Sequence, residues 1–99
     1  MDKFSGMPDT VGIPWYEAVD YAGVKALMRD RHLLPDSFGA WLKKAEGIEQ
    51  EVRATGRTVV RAVIRPDEFV QWTAAHGCDV DANGRTKYAS FIARQRQDA

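Results

Sequence analysis

Apolar positions recur along most of this chain at helical spacing, with one interruption of a different period. Residues 1–13 hold Gly6, Pro8, Asp9 and Gly12 without lasting periodicity, and read as an arm, mobile or loosely docked, ahead of a single globular domain over 14–99. Pro14 suits the first turn of a helix running to about Arg31. On that helix Trp15, Val19, Ala22 and Ala26 share a stripe widened by Tyr16 and Leu27, while Tyr21, Val24 and Met28 form a second strip on the opposite side. Two strips on one helix imply that it is enclosed on both sides, within the fold or at a subunit contact. A second helix over about 37–55, with Asp36 as N-cap and Gly56 at its end, places Phe38, Trp41, Leu42, Ala45, Ile48 and Val52 inward. Glu49 and Arg53 make a favourable pair one turn apart, and Glu46, Glu49 and Glu51 read as a solvated face.

The period then changes. Arg57–Arg65 is dense in β-branched residues and alternates, with Val60, Ala62 and Ile64 on one face and Arg57, Val59, Arg61, Val63 and Arg65 on the other. Pro66 opens a short helix over about 66–76, with Asp67 and Glu68 at its positive end and His76 at its negative end. Gly77 closes it, and Asp81 is positioned to cap a last helix over about 82–96 with Tyr88, Phe91 and Ile92 inward. The expected fold is therefore mostly helical α+β, four helices and one principal strand in the order α-α-β-α-α.

A strand needs partners for its backbone groups. Two sources exist: the arm around Thr10–Ile13, or the same strand of a second copy, antiparallel across a two-fold axis. The arm is punctuated by glycine and proline, so the expectation is a homodimer. Tyr21, Val24, Met28, Val60, Ala62 and Ile64 are then the candidate interface residues.

The chain carries 14 basic and 14 acidic residues in 99, with 44% hydrophobic residues. That is a globular composition without the basic excess of a strong nucleic-acid or membrane-surface binder. Cys78 is the single cysteine, so no intrachain disulfide forms. No apolar run approaches the ~20 residues of a membrane span, and no signal-peptide pattern stands at the start; a cytoplasmic location without membrane contact is expected.

Asp79-Val80-Asp81-Ala82-Asn83-Gly84 matches the first half of a calcium-binding loop, but Lys87 and Ser90 stand at its ninth and twelfth positions, where ligands are needed. A helix cap and a loop end account for Asp81 and Asp79. His76 and Cys78 are too few for a zinc site, and nothing supplies a third group to orient a Cys–His pair. Trp15, Trp41 and Trp72 read as packing anchors. Strand 57–65, Pro66 and two helices split by Gly77 resemble the order of a ribbon-helix-helix DNA-binding domain. The resemblance covers under half of the chain and implies a dimeric β-ribbon with Arg57, Arg61 and Arg65 toward the DNA. It departs in phase: the family's outward positions fall on Val60, Ala62 and Ile64. A helix-turn-helix over 67–96 is a weaker match still, because Asn83 and Thr86 fall at packing positions.

There is no glycine-rich phosphate loop, Gly-x-Ser-x-Gly elbow or His-Glu-x-x-His. The leading expectation is a non-catalytic protein-interaction or adaptor protein, without a cofactor or metal. A nucleic-acid-binding regulator using the β-ribbon comes second, and a small enzyme with a site at a subunit interface third.

Overall fold

Two parallel strands hold the two halves of the chain together. In the computed structural model, which describes residues 10–98, β1 (Thr10–Trp15) lies beside β2 (Thr58–Val63), Thr10 opposite Thr58 and Trp15 opposite Val63. Parallel neighbours require a long crossover. Helix α1 (Ala18–Leu27), a 3-10 turn (Arg31–Leu33) and helix α2 (Phe38–Ala54) supply it, and α3 (Pro66–Ala75) and α4 (Ala82–Asp98) follow β2. The order is β-α-α-β-α-α, one strand more than the residue pattern suggested.

That strand corrects the first expectation. Residues 10–13 are not part of a loose arm, and Pro14 and Trp15 do not begin a helix; together they form β1. The remainder of the arm, residues 1–9, lies outside the described residues. Thr10, Val11 and Ile13 carry the β-branched signal, but Gly12 and Pro14 mask it. Each has a local reason. A Cβ on Gly12 would overlap the Ala89 carbonyl and press on Ala93 Cβ, so glycine lets α4 approach the strand closely. As for Pro14, the Trp15 carbonyl accepts from Ile64 N–H at 2.8 Å, which turns the odd residues of β1 toward β2. The missing N–H of Pro14 therefore faces the outer edge, where no ladder bond is lost.

Strand β2 thus finds a mate inside the chain along one of its edges, where β1 lies parallel to it. Residues in register point to the same side of a sheet. Gly12, Val60 and Ala62 face α4, while Ile13, Trp15 and Arg61 face α2. Both helices pack on both strands. The six residues expected at a subunit contact are all core: Tyr21, Val24, Met28, Val60, Ala62 and Ile64 are each at most 9% exposed. The inward strip of α1 is Tyr21, Val24 and Met28; the stripe expected to share that task is outward, with Val19 exposed. The reason is the shorter helix. Once Trp15 and Tyr16 leave it for β1 and the following loop, the remaining alanines and Val19 hold little to bury.

The later helices start and stop close to where the residues indicate. Ser37, rather than Asp36, caps α2: its hydroxyl accepts from Ala40 N–H at 3.1 Å, and Asp36 instead meets Lys25 at 3.4 Å. Gly56 and Gly77 follow α2 and α3 with φ of 88° and 66°, the left-handed conformation that closes a helix. Asp81 caps α4, its carboxylate accepting from Gly84 N–H at 3.0 Å.

The close approach of α4 to β1 makes a direct test. Gly12→Ala should lower the unfolding free energy by about 2 kcal/mol through overpacking, and Tm by on the order of 10 °C. Gly47→Ala is the control. Its Cβ would meet nothing within 4 Å, and in a helix interior it should raise stability by about 0.5–1 kcal/mol. Thermal melts of the two variants check both signs.

Candidate functional site

Aromatic side chains from three segments converge at one end of the sheet. Trp41 of α2 stands edge-on to Trp15 of β1 at 5.1 Å and packs on Tyr16 at 4.7 Å. Tyr21 of α1 and Phe38 complete the cluster, and the Tyr21 hydroxyl donates to the Pro35 carbonyl, fixing the loop before α2. Trp15, Tyr16 and Trp41 are buried, so they are packing anchors as the residue pattern implied, although Trp15 sits on a strand.

Outside this cluster runs a groove of about 260 Å³. Tyr16 and Trp41 line it, together with Ile13 and Pro14 from β1. Leu33 and Leu34 from the segment before α2, and Ala45 and Ile48 of α2, also line it. Leu33 is 70% exposed and Ile48 51% exposed, which is unusual for large apolar side chains flanking one depression. Two charged residues contribute to the lining, Lys44 and Arg85, both cationic. A second depression, of about 420 Å³, lies between the start of β1 and α4 beside Thr10, Thr86, Ser90 and Arg94. Its polar side chains are largely exposed.

Arg85 of the lining is itself held by an ion pair. Its guanidinium donates to both carboxylate oxygens of Asp30 at 2.8 and 2.9 Å, with both side chains largely buried. Hydrogen bonding from Arg85 holds the Asp30 carboxyl below the usual carboxylate range, against the opposing effect of burial. Burial disfavours the Arg85 charge, but Asp30 and its neighbours outweigh this and raise its pKa. Burial pushes the Tyr16 phenol up to about 12, so it stays protonated at neutral pH.

A second bidentate pair lies on the α2 side of the sheet. Arg61 donates to both oxygens of Glu49 at 2.8 Å and lies over the Trp15 ring at 4.0 Å. Glu49 is 6% exposed, so it is not part of the solvated face expected for it. The two arginines that bind it, Arg61 and Arg53, are each about half-exposed. Hydrogen bonding from Arg61 lowers the Glu49 pKa.

The arginines expected to face DNA separate accordingly. Arg61 is committed to Glu49. Arg65 lies 3.9 Å from Glu17, and Arg57 is exposed beside Thr55. Since α2 and α4 cover the two faces of the ribbon, neither face is free to enter a groove. His76 stacks on Trp72 at 4.2 Å with its Nδ1 2.8 Å from the Trp72 carbonyl. The Cys78 thiol meets the His76 carbonyl, not its ring. Asp79 pairs with Arg29 at 3.1 Å, and Asp81 serves α4. Among the described residues no cluster of three or more His, Cys, Asp or Glu is placed to hold a metal.

No family model, curated protein or solved structure matches this chain.

Sequence reading missed the groove because it assigned Trp15 and Tyr16 to a helix and placed Ile48 inward. The available signal was Leu33-Leu34-Pro35, an apolar pair before a helix start with no stripe to join.

Two outcomes follow from the ion pairs. Asp30 and Glu49 have folded pKa values below their unfolded ones, so the unfolded state binds more protons as pH falls. Their stabilisation is complete above the unfolded carboxylate range, about 4, and fades as pH drops through the lower folded values. Urea melts from neutral pH down to about pH 3 should therefore show an acid loss of stability that is shallower in Asp30→Asn. At neutral pH, Arg85→Met leaves a largely buried carboxylate without its partner and should cost about 3 kcal/mol. Arg61→Met re-exposes Glu49 to water and should cost less, about 1 kcal/mol.

Proposed function

We propose that this protein is a non-catalytic protein-interaction module whose docking surface is the groove between α2 and the Leu33–Pro35 segment. The supporting observation is the exposure of Leu33 and Ile48, contributed by two different segments to a depression lined by Tyr16 and Trp41. Scattered apolar residues on a surface are ordinary; a contiguous set around a concave site marks a contact surface. Its volume is below the ~300–1,000 Å³ of sites that enclose a small molecule or cofactor, and it suits a few side chains of a partner. Among the described residues no helix is long and apolar enough to cross a membrane.

A homodimer remains part of the proposal, at an edge rather than through the core residues. The proline in β1 blunts that strand's outer edge. On β2 the backbone of Val59, Arg61 and Val63 faces outward, and among the described residues no other strand pairs with it. An antiparallel contact between two copies of this edge gives a four-stranded sheet. Light scattering coupled to size exclusion should report a dimer that Val63→Pro reduces to monomer; a wild-type monomer at all concentrations removes this part.

The docking surface is tested by selecting short random displayed peptides on the full chain. A shared motif is expected whose affinity falls by about tenfold or more in Ile48→Glu, with Tm unchanged because Ile48 is half-exposed. Peptides that bind the variant equally well, or no enriched motif, overturn the reading.

A further inference from the structure

We infer that the groove selects an acidic-apolar peptide segment of its partner, one that seats apolar side chains between Leu33 and Ile48 and sets a carboxylate on Lys44. This rests on the groove being the docking surface and names what that surface recognises.

Charge is the first argument. The groove's charged lining is Lys44 and Arg85, with no carboxylate among the lining residues. The Arg85 fork is filled by Asp30 on both prongs. Lys44 is exposed, and among the described residues no carboxylate lies within ion-pair distance of it. The nearest acidic residue further along its strip of α2 is Glu51, seven positions or about 10 Å away at 1.5 Å per residue. A basic segment would therefore meet a cation at the rim, and an acidic one a salt-bridge partner.

Hydrogen-bonding capacity points the same way. Tyr16 and Trp41 are each more than nine-tenths buried and both line the groove. Among the described residues the Tyr21 hydroxyl donates to the Pro35 carbonyl, and the enclosed side-chain polar atom without a partner is Trp72 Nε1, outside the groove; the lining itself carries the Tyr16 hydroxyl and the Trp41 indole N–H. With Lys44 Nζ, these groups make the lining rich in donors. Its complement supplies acceptors, which peptide carbonyls and an Asp or Glu side chain provide.

The test runs the same peptide selection on wild type and on Lys44→Glu. Lys44 is exposed, so the variant should keep the wild-type Tm. Wild type should enrich motifs with Asp or Glu next to apolar residues, and Lys44→Glu should enrich Lys or Arg there instead. A synthetic peptide carrying the wild-type motif should lose about tenfold in affinity to Lys44→Glu, with a smaller loss at high salt. Apolar motifs indifferent to charge and unaffected by Lys44→Glu overturn the acidic preference while leaving the docking surface in place. No enriched motif at all removes both. Saturable binding of dodecanoate, without any enriched peptide, replaces the peptide by a small amphiphilic carboxylate. A dimer that Ile48→Glu dissolves assigns the groove to a second copy and overturns the inference.

Discussion

The ladder between β1 and β2 is the constraint from which the rest of the structure follows. A parallel pair cannot be closed by a tight turn, so the chain must leave the sheet for some forty residues and return. Two strands alone are marginal in water and gain stability only when their faces are covered. Here α2 covers one face and α4 the other. The first face carries the aromatic contact between Trp15 and Trp41 and the pair between Arg61 and Glu49. The second is lined by small residues, with Gly12 set against Ala89 and Ala93.

How much of this was legible depended on how many signals agreed at each position. Over α2, β2 and α3, periodicity, end-capping residues and composition pointed one way, and those elements lie within a residue or two of where the pattern put them. At β1 the signals conflicted. Gly12 and Pro14 are poor strand formers, and each is tolerated for a reason that exists only in the fold: a helix backbone close by in one case, an unpaired edge in the other. Misplacing that strand moved Trp15 and Tyr16 onto α1, invented a second apolar strip, and sent Tyr21, Val24 and Met28 to a subunit contact. The error was one of partner, since the backbone requirement of β2 was read correctly.

The site was less legible than the fold. Its polar anchor joins Asp30 to Arg85, 55 positions apart, and no local pattern announces such a contact. Glu49 followed the helical rule for a solvated face and broke it because β2 delivers Arg61 on top of it. The groove itself is a remainder, the strip of apolar surface left when α2 turns Trp41 and Ala45 inward but carries Ile48 to the edge. Leftover surfaces of this kind emerge from the packing of neighbours rather than from any one segment.

The contact between Gly12 and the alanines of α4 also bears on the order of assembly. A chain made from its amino end exposes β1 early, yet one face of that strand waits for residues near 89–93. Until α4 emerges, β1 and β2 have one side of their ribbon bare. Helix α4 is the clasp, and it must be made before the first strand is sheltered on both sides.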